Sequence, residues 1–181
     1  LQRSANLEFY ECYGANEIAG QVAQLDAALR AKNGTGLRER CLMISSDATP
    51  VFGIATAQER DSINAALATP EAKQYLPSNL RLRWSVKPSP VNFTDTVTHK
   101  ERQIDTYQLI ALRATNGGPA LDGTGVIGAT SDFDQMQGNV VSMTMNSEGA
   151  RDWARITQRN IGHPVAIVLD DLVYSYPNIR T

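Results

Sequence analysis

The clearest periodicity in the chain is helical. Ile18, Val22, Leu25 and Leu29 recur at spacings of four, three and four, which places them on one face of one helix. An apolar stripe of that kind has to be covered by another layer of structure. Burying its four side chains is worth roughly 6–12 kcal/mol before the entropy cost of ordering them. Asn16 is placed to cap the start, and Lys32-Asn33-Gly34 supplies a cation, a turn former and a C′ glycine at the end.

Most of what could cover this helix reads as strand. Leu7, Phe9 and Tyr13 fall on one alternation and Glu8 and Cys12 on the other, so Asn6 to Tyr13 reads as a half-buried strand that Gly14 breaks. Cys41 to Ile44 and Val51 to Ile54 read as short buried strands around a turn at Asp47 to Pro50. Leu80, Leu82, Trp84 and Val86 alternate with Arg81, Arg83 and Ser85, as in a strand with one wet face. Ile104 to Ala114 and Asn139 to Met145 also read as strands, the second with Val141, Met143 and Met145 on one side. Val165 to Leu169 and Leu172 to Tyr176 flank Asp170-Asp171 as a hairpin, with a weaker turn pair than Asp-Gly.

Three shorter helices complete the pattern. Thr56 to Glu59 fits a capping box ahead of Ile63, Ala66 and Leu67, and Thr69-Pro70-Glu71 opens another helix with proline at its first position. Asn146 or Ser147 caps a helix over about 148–160, with Ala150, Trp153, Ala154, Thr157 and Ile161 as its stripe. Trp153 is then expected to pack against Val165 to Leu169. Pro88 to Arg102 is polar and holds two prolines, which reads as a loop or mobile insertion. Thr115 to Gly128 reads as glycine-rich connection with at most a short strand. The order of elements indicates an α+β fold with a mostly antiparallel sheet packed by helices.

Composition excludes several functions. Of 181 residues, 42% are hydrophobic and 20% charged, which is ordinary for a globular domain. Seventeen Lys and Arg against nineteen Asp and Glu give a net charge of −2, which argues against a dedicated nucleic-acid binder. The longest purely apolar run, Val165 to Leu169, is far short of the ~20 residues of a membrane-spanning helix. The chain opens on Leu1 and stops just past a strand-like segment, so it reads as a piece of a longer protein.

No catalytic set assembles, and no cofactor or metal is expected. His99 lies in the polar stretch and His163 at a helix C-terminus, neither with neighbours at ligand spacing. Gly117-Gly118-Pro119 and Asp122-Gly123-Thr124-Gly125 lack the lysine and the strand–loop–helix setting of a phosphate cradle. Asp132 with Asp134, or Asp170 with Asp171, could form paired acids, but no nucleophile and base accompany them. Cys12 and Cys41 are either bridged or buried free thiols. Arg81, Arg83, Lys87, Lys100 and Arg102 make the middle of the chain locally basic. They are a solvated face, or a contact surface for anionic lipid or an acidic partner.

Two stretches carry a family resemblance. Gly138 to Ala150 ends in Asn146-Ser147-Glu148-Gly149-Ala150, an "N-x-E-G-A" helix opening. Thr157 to Ile179 then runs through Thr157-Gln158-Arg159-Asn160-Ile161-Gly162 into Ala166-Ile167-Val168-Leu169-Asp170 and Ser175-Tyr176-Pro177-Asn178-Ile179. This resembles the first periplasmic domain of the protein translocase subunit SecD, as does Ala5-Asn6-Leu7-Glu8-Phe9 at the other end. The strong match covers about 45 residues. Residues from about Thr35 to Gly118 match nothing diagnostic, and resemble the extended insertion of some fused SecD–SecF proteins. Asp171 stands where the family usually has Gly.

The resemblance implies ferredoxin-like elements with a head subdomain. Residues 1–14 would end the base, 15–176 form the head with a variable insertion at about 45–115, and 177–181 return toward the base. It implies a domain on the periplasmic side of the bacterial cytoplasmic membrane, anchored through segments outside this chain. It also implies a non-enzymatic role in holding unfolded preprotein during proton-motive-force-dependent export, with a SecF-type subunit or fused half and the Sec translocon as partners. Contact candidates are Tyr174, Tyr176 and Phe133, with any exposed Met143 or Met145; hinge candidates are Gly14 and Pro177. The rivals are a hydrolase or transferase, for which no residues can be named, and a plain α+β interaction or structural module of a membrane protein.

Overall fold

The computed structural model of the chain describes the backbone of residues 6–134 and 138–180, and their side chains outside 131–141. Its elements are β1 (Leu7–Cys12), α1 (Ala15–Asn33), β2 (Met43–Ile44), β3 (Val51–Ala55), α2 (Arg60–Leu67), α3 (Pro70–Tyr75), β4 (Leu80–Trp84), β5 (Ser89–Thr94) and β6 (Glu101–Arg113). There follow β7 (Leu121–Asp122), β8 (Val126–Asp134), β9 (Gly138–Met145), α4 (Ser147–Arg159), β10 (Val165–Leu169) and β11 (Leu172–Ser175). Among the described residues every ladder between these strands is antiparallel, with isolated parallel bridges only at Ser85–Val173 and Ile161–Ile179, so the α+β class and the mostly antiparallel sheet are as expected.

β6 organises the sheet. Along one edge it pairs β1 and β3 end to end, and along the other β4 and β5. β1 carries the sheet outward to β10 and β11, and β3 carries it to β2. An isolated parallel bridge between Ser85 and Val173, with the Val86 N–H donating to the Val173 carbonyl at 2.9 Å, joins the end of β4 back to β11. β8 and β9 form a separate ribbon.

Residues 109–112 of β6 are all buried because both faces of the sheet are covered. Leu109 and Ala111 face the helices, in a cluster with Ile18, Val22, Leu25, Leu29, Phe52, Ile63 and Trp84. Ile110 and Leu112 face the other way, onto Tyr10, Ala166, Val168 and Val173. A third cluster gathers Phe9, Leu121, Ile156 and Val165 against α4.

Several local expectations are corrected. β1 is not half-buried: Phe9 serves the third cluster and Tyr10 the second, so both faces are packed. α1 is capped by Gly14, not Asn16, with the Gly14 N–H donating to the Glu17 carboxylate at 2.6 Å. The buried strand expected at Cys41 to Ile44 shrinks to two residues with Met43 about half exposed. Pro88 to Arg102 is no loop, since β5 and the start of β6 form a projecting ribbon. Pro90 is tolerated there because β5 is an edge strand. The stretch 115–128 holds the short strand β7, as allowed, and β8 begins in its last three residues.

The stripe of α4 turns by one residue. Gly149 and Ile156 are buried, while Ala150 and Ala154 are exposed and Ile161 lies outside the helix. Trp153 is half-buried, its ring 5.0 Å from that of Phe9. It does join Val165 and Ile167 in the third cluster, as expected.

Candidate polypeptide-contact surface

The β10–β11 hairpin is built on a turn that L-residues rarely adopt. Asp170 and Asp171 have φ of 47° and 66°, the pattern of a type I′ turn. Asp170 offsets that strain with two bonds to the residue before β1: its N–H donates to the Asn6 carbonyl at 3.0 Å, and its carboxylate accepts the Asn6 N–H at 2.9 Å.

A bulge then decides which tyrosine faces solvent. Val168 pairs Val173, but Ile167 pairs Ser175, so Tyr174 is the extra residue on β11. The bulge inverts the alternation beyond it. Tyr174 projects outward at 44% exposure, with the Lys87 ammonium 5.2 Å from its ring centroid. Val86, also exposed, precedes Lys87 in sequence and donates its N–H to the Val173 carbonyl on β11. Tyr176 turns inward instead, packs on the second cluster and donates its hydroxyl to Gln108 Oε1 at 2.8 Å. Burial pushes its phenol up. The two candidate tyrosines therefore occupy opposite situations, and only Tyr174 offers free ring surface.

The remaining candidates scatter. Met143 and Met145 are half-buried against the third cluster. Phe133 lies in β8 opposite Asn139, and its side chain is outside the described residues, as are those of Asp132 and Asp134. Gly14 sits in the extended region at the start of α1, and a methyl there would come within 2.5 Å of the Asn16 side chain. The carbonyl of Pro177 accepts the Val165 N–H at 3.1 Å, which straps the chain end to the start of β10.

His99 (φ 53°) sits in the tip of the β5–β6 ribbon, where Asp95 accepts the Val97 and Thr98 N–H groups at 2.8 Å each. Those bonds hold the Asp95 carboxyl below its usual range. Among the described residues no three His, Cys, Asp or Glu side chains are grouped to hold a metal ion. Cys12 and Cys41 are free and pack against different clusters, which answers the open question of their pairing.

One concave surface was not legible in the sequence. Between α2, α3 and β4 lies an open groove of about 610 Å³, walled by Leu67, Ala72, Leu76, Leu80 and Leu82 and rimmed by Lys73, Arg81 and Arg83. Its halves come from separate amphipathic segments, each of which reads alone as ordinary core. The alternating arginines of β4 were the only signal available.

The "N-x-E-G-A" segment acquires a physical reading. Asn146 caps α4 by accepting the Gly149 N–H at 2.8 Å. Gly149 packs so close to Gly125 that a Cβ on either would meet the other's Cα at 2.8 Å. Both glycines are thus spacing residues at the contact of α4 with the turn before β8.

Residues 96–181 match the sequence profile of the family described as "SecDF, P1 head subdomain". The chain is similar in sequence to the SecD and SecDF translocase subunits. It is 39% identical over 130 residues to the protein translocase subunit SecD of Rhodothermus marinus, a match covering 72% of this chain and 19% of that protein. It is 44% identical over 64 residues to SecDF of Thermus thermophilus, covering 35% of this chain and 9% of the relative. The chain spans less than a fifth of the length of these relatives. The Rhodothermus SecD match is too long to fit outside residues 35–118, so SecD likeness extends into a stretch where no diagnostic pattern was expected.

Among solved structures, one described as a membrane component SecDF that enhances protein export aligns over 98% of this chain and 80% of its own. The identity is 19% and the TM-score 0.33. A SecDF crystal structure from Thermus thermophilus gives the same identity and score, over 25% of its own chain. The fold class rests on the strand pairing above rather than on these superpositions.

Proposed function

We propose that this chain is part of the first periplasmic domain of a SecD-type subunit and contacts unfolded preprotein during export. The match of residues 96–181 to the SecDF P1 head is the observation that carries the reading. On it, the domain lies outside the bacterial cytoplasmic membrane and is anchored by segments beyond this chain. It works with a SecF-type partner and the Sec translocon, with the proton-motive force driving the cycle. No helix among the described residues is long and apolar enough to cross a membrane.

The chemistry suits the task. A client without fixed shape is held by apolar surface and free backbone edges rather than by a shaped pocket. Tyr174, with Lys87 over its ring and Val86 alongside, supplies such a surface on the hairpin that carries the family motif. Gly14 and Pro177 are our proposed points of passage between a head formed by residues 15–176 and the base.

Cysteine crosslinking in the parent subunit tests this. A cysteine at Tyr174 should label an arrested, partly exported chain more strongly than one at Lys32, whose ammonium is paired to Glu71 at 2.6 Å on the helical side. Tyr176 should label weakly, because it is turned inward. Equal labelling from positions 174 and 32 would remove the hairpin as the contact surface.

A further inference from the structure

β4 has a free edge. Its odd-numbered residues face β6, as shown by Ala114 N–H donating to Asn79 and Ser85 N–H donating to Gln108, each at 2.8 Å. The alternation of an antiparallel ladder then points the backbone groups of Leu80, Leu82 and Trp84 the other way. A parallel bridge between Ser85 and Val173 brings β11 against the far end of this edge at Trp84, so among the described residues the stretch no strand pairs is that of Leu80 and Leu82. Two of the outward carbonyls are covered by side chains of their own strand. Arg81 Nη1 donates to the Leu80 carbonyl at 3.0 Å, and Arg83 Nη1 to that of Leu82 at 3.1 Å.

The apolar groove described above runs beside this edge, and its rim is positive. Lys73 and Arg81 have no carboxylate partner among the described residues. Arg83 has only Asp171, at 3.4 Å, with a carboxylate 78% exposed. Such a pair is nearly worthless in water and easily exchanged. A free backbone edge, an apolar wall and a cationic rim therefore coincide within one surface whose size suits a short chain segment.

We propose that this groove takes an extended polypeptide segment in which apolar side chains alternate with acidic ones, added as a strand along β4. The idea rests on the polypeptide-handling reading above and gives it a site. The incoming strand donates its own N–H groups to the Leu80 and Leu82 carbonyls and accepts the Leu82 N–H. Its apolar side chains enter the groove against Leu76, Leu80 and Leu82. The two guanidiniums swing from the edge to the segment's carboxylates, exchanging neutral acceptors for charged ones, which is the stronger bond. Between clients the same arginines blunt an edge that would otherwise invite aggregation.

The test is fluorescence anisotropy of a labelled Val-Glu-Val-Glu-Val-Glu-Val peptide titrated with the 181-residue chain. We expect at least tenfold weaker binding for the version with Lys in place of Glu, and for the version N-methylated at alternate residues. The same loss is expected for the Arg81→Glu, Arg83→Glu variant, with an unchanged circular dichroism melt showing that it folds. The N-methylated peptide probes the edge without altering the protein. Binding that ignores N-methylation and the charge reversal overturns the β4 site and leaves polypeptide handling intact. No binding by the peptide, with Tyr174 crosslinking retained, overturns the groove alone. Loss of both removes the groove and the function together.

Discussion

Cys12 and Cys41 carry thiols that burial pushes up to about 12 and about 11. Both should therefore resist iodoacetamide at pH 8 in the native chain and react on unfolding. Cys12 also makes stability depend on alkaline pH. An exposed thiol ionises near 9, whereas this one keeps its proton to about 12, so the unfolded state releases a proton over that interval and the folded state does not. The contribution is whole below pH 9 and is lost as pH rises through 12, about 4 kcal/mol in all. Urea unfolding at pH 8 and pH 11 should show a smaller pH-dependent loss for Cys12→Ala than for the parent. The aromatic pair under α4 gives a second residue-level expectation. Phe9 is fully buried and Trp153 half-buried. Phe9→Ala should cost about 3–5 kcal/mol in urea unfolding, and Trp153→Ala nearer 2.

At the scale of elements, the contact of α4 with the turn before β8 depends on two glycines. Gly149→Ala drives a methyl into the Gly125 backbone, where nothing flexible gives way. The expected loss is about 3 kcal/mol, and retention of the parent melting temperature would show that α4 can shift freely. The hairpin turn predicts the opposite sign. Asp171→Gly relieves a positive φ at the small cost of an exposed ion pair, and should stabilise by about 0.5–1 kcal/mol. Elements were legible where one face met one layer. Ile18, Val22, Leu25 and Leu29 announced α1 because helix and core share a single boundary. β1 misled because alternation is a signal only when one face is wet, and here Phe9 and Tyr10 each have a core to enter. The β5–β6 ribbon misled for the reverse reason. A projecting ribbon with little core beneath it needs no apolar alternation, so its residues read as loop.

For the whole molecule, the sequence supplied the class and the outer strands but not the joins between them. The Asp170-Asp171 hairpin and the "N-x-E-G-A" helix opening could be read directly, since each is local. The bulge at Tyr174 could not, because it exists only relative to Ile167 and Val168 on the other strand. The β4 groove was hidden likewise, as a property of distance between segments. One pairing has a further consequence, for synthesis. Leu7 pairs Leu169 and Glu11 pairs Val165. The earliest strand of this chain thus takes its longest ladder from almost the latest, closing a loop whose length alone costs roughly 4–5 kcal/mol. At about 5–20 residues per second, β1 waits on the order of 10–30 s after leaving the ribosome before β10 exists. Chains arrested at Asn160 should be cleaved by protease within β1, and chains extended to Thr181 should not. Through that wait Phe9 and Tyr10 stand open to other holders, so the domain is itself in need of the care it is proposed to give.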